Sequence, residues 1–353
     1  MQNPFTTTFS KIPDDTYIPT EQVASVIENF SYENPSESVF KITGVRGSGK
    51  TVLLAKIEQE ILESNAENKW VVCRLSPLRD MLVQLASLLS KAISVEKGKK
   101  AHSFNISASV LGTGGGFGFS SEKGDEPFDI GIAVEEMIKV ASVQGKKILI
   151  GIDEVSKTKE MEIFALEFGK WLRAGYPVYL VCTGLYENIE QLSNGRNLTF
   201  FRRATTIKTG PLSYIRMVEM YKAKLAVSSD TAKKLAESTL GYAYAFQELG
   251  VLSFRKQSSE TYDDIIEKLK VELFSYAYEK IWEESSSEER KLLLLLDDNK
   301  EFSRHELMSA LNSSQSYSVY RDRLLRKGLI ESSRRGAIKL ALPFFGAYMK
   351  EYC

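Results

Sequence analysis

Cysteine and histidine are scarce, with three and two residues among 353. Cys73, Cys182 and Cys353 lie far apart and form no C-x-x-C pair. A zinc finger and a disulfide framework are therefore excluded, and a reducing compartment fits. Charge of one sign is also missing, because 46 Lys and Arg balance 46 Asp and Glu. A strongly cationic protein is excluded, although a local basic patch is not. No apolar run approaches the roughly 18 residues of a membrane span; the longest obvious one is Leu292–Leu296. No basic stretch followed by an apolar one opens the chain, so neither a secretory signal nor a membrane partner is expected, and the expected location is cytoplasmic. What is present is ordinary for a globular chain: 43% hydrophobic and 26% charged residues, enough to build a core. The length predicts two domains with a small third.

Short apolar segments alternate with helical patterns from Val39 onward. Val39–Thr43, Trp70–Leu75, Ile148–Ile152, Val178–Cys182 and Thr205–Lys208 read as strands. Helical patterns fall near Thr51–Ser64, Arg79–Val95, Lys159–Arg173 and Tyr186–Leu192, and one precedes them at Val23, Val26, Ile27 and Phe30. This alternation predicts an α/β fold with a parallel sheet covered on both faces. Past Pro211 the strands stop. Ser213–Lys224, Asp230–Thr239, Tyr242–Arg255 and a longer stretch over Asp263–Trp282 read as helices, and the polar Glu283–Glu289 reads as a hinge or linker. Residues 103–121 alternate Phe104, Ile106, Val110, Phe117 and Phe119 around a Gly cluster. They read either as an inserted β-hairpin, with edges that suit self-association or a protein partner, or as a Gly/Ser surface loop.

Gly44-Val45-Arg46-Gly47-Ser48-Gly49-Lys50-Thr51 matches G-x-x-x-x-G-K-[ST] in full, after a strand and at the mouth of a helix. Phosphate oxygens need several inward-pointing N–H groups, and glycines let the backbone wrap that closely. The helix N-terminus adds partial positive charge. Lys50 supplies a cation for the β/γ-phosphates, and Thr51 a hydroxyl for Mg²⁺. Ile148–Ile152 then ends in Asp153-Glu154, a carboxylate at the strand edge for Mg²⁺ and a second one placed to polarise water. The acidic pair suggests that another strand, Val178–Cys182, lies between this one and the phosphate-loop strand. Thr183 would then sit near the γ-phosphate and bond the water, or merely cap its strand.

With these motifs the chain resembles AAA+-related P-loop ATPases of the archaeal-type, origin-initiator and STAND group. The resemblance implies ATP and Mg²⁺ as ligands, with ADP as product. It implies an AAA+-like, additional-strand P-loop core over 1–210, a helical lid over 211–284 and a winged helix over 285–353. It also implies a sensor role for Thr183 and, for Arg202 or Arg203, completion of a neighbour's active site; the alternative for that pair is a surface or structural ion pair. Two places depart from the family. Gly241-Tyr-Ala-Tyr-Ala-Phe-Gln247 lacks the lid arginine, which points to slow hydrolysis. Pro19-Thr20-Glu21 replaces a Gly-Arg pair, leaving Tyr17 and Ile18 as the adenine contacts.

In the last third, Arg290–Leu296, Ser303–Leu311 and Ser316–Lys327 read as three helices, with Leu329–Leu342 as strand and wing. Arg321, Arg323, Arg326, Lys327, Arg334, Arg335 and Lys339 face only Asp322 and Glu331, a local +5. That suits duplex DNA phosphates; the alternative is a winged helix used for protein contacts. The function expected is an ATP-hydrolysing switch. The alternative is a nucleotide-gated DNA-binding or signalling scaffold with negligible turnover.

Overall fold

The computed structural model describes residues 2–8, 11–65, 68–94, 129–195, 198–311, 314–334 and 336–353. The expected hairpin at 103–121 and Arg335 lie outside the described residues.

Elements alternate through the first two hundred residues: α1 (Glu21–Ser31), β1 (Val39–Thr43), α2 (Lys50–Glu63), β2 (Trp70–Leu75), α3 (Met81–Ser94), α4 (Ile130–Val143), β3 (Lys147–Ile152), α5 (Lys159–Arg173), β4 (Val178–Gly184), α6 (Tyr186–Ser193), α7 (Thr199–Arg203) and β5 (Thr205–Lys208). The five strands form a parallel sheet in the order β2-β3-β4-β1-β5. β4 therefore separates β3 from β1, as the acidic pair after β3 predicts. β1 and β4 are buried along their whole length. Their side chains alternate between two cores with the period of two that a strand imposes. Val178, Leu180 and Cys182 join Ile148, Ile150 and Ile152 on the face covered by α3, α4 and α5. Tyr179 and Val181 join Phe40, Ile42 and Leu149 under α1 and α2.

A helical region follows: α8 (Tyr214–Leu225), α9 (Ser229–Ser238), α10 (Ala243–Phe254), α11 (Tyr262–Leu273), a π-turn at Phe274–Tyr278 and α12 (Glu279–Glu283). The long helix read over Asp263–Trp282 is thus interrupted by a widened turn, which places Tyr278 in the core and leaves Tyr276 exposed. The chain continues as α13 (Ser287–Leu293), β6 (Phe302–Ser303), α14 (Arg304–Leu311), α15 (Ser314–Lys327), β7 (Ile330–Arg334), β8 (Ala337–Leu340) and α16 (Phe345–Tyr352). The last three strands form an antiparallel sheet in the order β6-β8-β7.

The hinge expected at Glu283–Glu289 is corrected. Ser286 and Glu289 form a capping box at the start of α13, and Arg290 donates to the Trp282 carbonyl oxygen at 2.6 and 3.0 Å. Of the residues that read as linker, Ser286 and Glu289 cap α13, the buried Ser285 donates to the Ile281 carbonyl oxygen, and Glu283 belongs to α12. One apolar cluster runs through Phe246, Leu269, Tyr278, Leu292, Leu324 and Phe345, so the lid helices and the C-terminal elements share a core.

Candidate nucleotide site

The phosphate loop leaves β1 and enters α2 at the C-terminal edge of the sheet. Gly47 and Gly49 take φ of +74° and +87°, a region that side chains disfavour. Gly44 is required for closeness: a Cβ there would lie 1.8 Å from Thr209 Oγ1. Thr209 in turn donates to Ser48 Oγ at 2.8 Å and fixes the loop's shoulder. Lys50 Nζ donates to the Gly44 and Val45 carbonyl oxygens at 3.1 and 3.0 Å. Desolvation, reinforced by the Arg46 charge, lowers its pKa to about 8 against the pull of Asp153, Glu154 and Glu284.

Opposite the loop, Asp153 follows β3. Thr51 Oγ1 donates to its Oδ2 at 2.9 Å, and the Thr183 hydroxyl donates to its Oδ1. The Glu154 N–H donates to Thr183 Oγ1 at 3.1 Å. Thr183 is fully buried. Its proton points to Asp153, so its hydroxyl holds the carboxylate and the Glu154 backbone, where the sequence alone suggested a bond to water. Glu154 is exposed and has φ of +55°, a strained conformation for a side-chain residue. A hydroxyl and a carboxylate brought together are oxygen donors of the kind Mg²⁺ takes, so Thr51 and Asp153 fit that ion.

The cleft around these groups has a volume of about 530 Å³ and is lined by the phosphate loop, Tyr17, Ile18, Glu154, Tyr244 and Gln247 among others. That volume lies within the usual range for small-molecule sites. Ile18 is buried and Tyr17 half-buried. Gln247 ties the N-terminal segment across the cleft, accepting from the Thr6 N–H and the Thr16 hydroxyl, each at 3.1 Å.

Sequence reasoning missed the groups that grip the phosphate loop from the lid. The Tyr242 hydroxyl donates to the Arg46 carbonyl oxygen at 2.6 Å, and the Tyr244 N–H to the Gly47 carbonyl oxygen at 3.1 Å. Tyr244 stacks on Tyr276 of the π-turn with ring centroids 4.0 Å apart. Arg46 pairs with Glu284 at 2.6 Å. The signal was the Gly241–Gln247 stretch itself: its tyrosines stand in the stretch where an arginine was sought.

Arg202 and Arg203 end α7 and are both exposed. Lys41, buried in β1, donates to the Phe201 carbonyl oxygen at 2.7 Å and so fixes that short helix to the phosphate-loop strand. The basic surface read near the C-terminus is thinner than its formal charge. Lys327 is nearly buried and bridges Glu187 and Glu289. Arg326 pairs with Asp322 and donates to the Tyr186 hydroxyl, and Lys339 pairs with Glu331. Burial opposes the Glu289 charge, but the bonds from Lys327 and Ser286 outweigh it and lower its pKa. Arg321 is half-buried and Arg323 exposed. Arg334 ends β7.

A parallel sheet with a glycine-rich loop at its edge, a lysine and threonine opening α2 and an acidic pair after β3 defines a P-loop NTPase. The chain belongs to the KAP family of P-loop NTPases, whose P-loop domain matches residues 19–298. A domain of unknown function, DUF8462, matches residues 275–349. No curated protein matches the chain. Among solved structures, it is similar to the ORC2 protein of Aeropyrum pernix in its ADPNP-ADP complexes, at 12% identity and TM-score 0.55 over 95% of each chain. The ADP form of the same protein aligns over 95% of this chain and 96% of that one, at 12% identity and TM-score 0.50. Among the described residues, no helix is long and apolar enough to cross a membrane.

Proposed function

We propose that this chain is an ATP-binding molecular switch that hydrolyses ATP slowly, with nucleotide state setting how the lid and C-terminal region sit on the core. The observation that carries this reading is the direct grip of the lid on the phosphate loop through the Tyr244 N–H on the Gly47 carbonyl oxygen. Any rearrangement of the loop around phosphate is then felt in α10, and through the shared core in α13–α16.

Lys50 places its ammonium on the β- and γ-phosphates, and the amides of Gly47–Thr51 surround them. Thr51 and Asp153 hold Mg²⁺, which when bound neutralises phosphate charge. Glu154 takes a proton from the attacking water. Thr183 acts as a positioning residue that keeps Asp153 and the Glu154 backbone in place. Tyr17 and Ile18 lie against adenine. Arg202 or Arg203 reaches a neighbouring subunit's phosphate. The absence of an arginine from Gly241–Gln247 makes turnover slow.

In this reading residues 285–353 act as a winged helix, and Arg321, Arg323, Arg334 and Arg335 are its contacts to duplex DNA. Lys327, Arg326 and Lys339 are taken up by ion pairs. The test is steady-state ATP hydrolysis with and without duplex DNA. Slow basal turnover that DNA changes severalfold is expected. Measurable nucleotide binding with no turnover in either condition would leave the scaffold alternative in place of this one.

A further inference from the structure

The structure assigns Arg46 a task that the family motif leaves open, since its position in the loop accepts any residue. Its guanidinium reaches across the cleft mouth to Glu284, Nη2 to Oε1 2.6 Å. Both side chains remain about one third exposed, at 35% and 38%. Such an ion pair is a weak hold. A guanidinium offers five donors in a planar fork suited to phosphate, and Glu284 takes one of them. Arg46 Nε is buried and has no hydrogen-bond partner.

Arg46 and Glu284 line the same cleft as Lys50, Thr51 and Glu154. Burial opposes the Arg46 charge, but Glu284 and, behind it, Glu154 outweigh that and raise its pKa. The group is therefore a permanent cation within electrostatic reach of the water-polarising carboxylate. Glu284 also occupies a junction. It is the C-cap of α12, and two residues further on Ser286, with Glu289, caps α13. Glu289 in turn holds Lys327 of α15.

We propose that Arg46 exchanges Glu284 for the terminal phosphate of a bound nucleoside triphosphate, releasing the α12–α13 junction from the phosphate loop, whereas a diphosphate leaves the pair intact. The inference rests on the nucleotide reading of the cleft. A phosphate carries more charge than one carboxylate and can accept two parallel N–H bonds where Glu284 here accepts one, so it displaces Glu284. Because coupling is reciprocal, weakening the Arg46–Glu284 pair favours the triphosphate.

The experiment is calorimetric titration of the full chain with Mg-ATP and Mg-ADP, in wild type, Glu284→Gln, Arg46→Gln and the double variant. Glu284→Gln is expected to tighten ATP about fivefold, at the low end of usual couplings, and to leave ADP unchanged. In the Arg46→Gln background the same substitution is expected to do nothing, since its effect passes through Arg46. Equal tightening of ATP and ADP, or a gain that persists without Arg46, overturns the exchange while leaving the nucleotide site standing. A wild type that binds neither nucleotide overturns the site reading and the exchange with it.

Discussion

Lys50→Ala is expected to abolish measurable Mg-ATP binding while the fold survives. Lys50 is placed to put a full charge on the β/γ-phosphates, and it already lies over the loop, bonded to the Gly44 and Val45 carbonyl oxygens. Truncating one member of a close charge pair costs about 3 kcal/mol, a loss of more than about 100-fold in affinity. The fold is expected to tolerate the change. Burial lowers the Lys50 pKa to about 8, so between there and its ordinary value the folded chain binds fewer protons than the unfolded one. Stability then rises with pH across that window, and at neutral pH the charged lysine is a cost to folding. Thermal unfolding of the variant should therefore occur at or above the wild-type temperature. An unchanged ATP affinity by calorimetry would sink the nucleotide assignment.

Glu154→Gln is expected to keep ATP binding and to cut turnover by about 100-fold or more, the usual loss when a general base is removed. The substitution is nearly isosteric and leaves the Glu154 N–H on Thr183 Oγ1. The positive φ of residue 154 is a property of the turn, set by the hydrogen bonds on either side. Binding and chemistry should therefore separate cleanly in this variant. Single-turnover rates equal to those of wild type would remove Glu154 from the proton transfer.

Much of the core could be read without coordinates, because its strands are short and apolar and its phosphate loop is a contiguous motif. β1 and β4 are buried along their whole length, so most of their residues are apolar, Lys41, Thr43 and Thr183 being the polar ones. The order β3-β4-β1 agrees with the acidic pair after β3, which suggests a strand between β3 and the phosphate-loop strand. Three helices were not read, the five-residue α7 among them. α4 follows a Gly-rich stretch that hides its cap, Asp129, which accepts from the Gly131 and Ile132 N–H groups. α16 is short and is held by long-range contacts, Asp298 accepting from the Gly346 and Ala347 N–H groups.

The site divides the same way. Gly44–Thr51 and Asp153-Glu154 are local patterns. The contacts that connect the loop to the rest of the chain are not. Tyr242, Tyr244, Tyr276 and Glu284 come from three elements that only the packed lid brings together. Formal charge was also a poor guide. Arg326, Lys327 and Lys339 counted as cations in the sequence, yet each is paired with a carboxylate.

Hydrogen exchange resolved by segment, in the nucleotide-free, Mg-ADP and Mg-ATP states, tests most directly whether nucleotide moves the lid and C-terminal region. The Tyr244 amide bonded to the Gly47 carbonyl oxygen and the α12–α13 junction are expected to differ between ATP and ADP, while β3 and β4 stay protected in all three states. Tight binding of both nucleotides with identical exchange over residues 240–290 would contradict a switch.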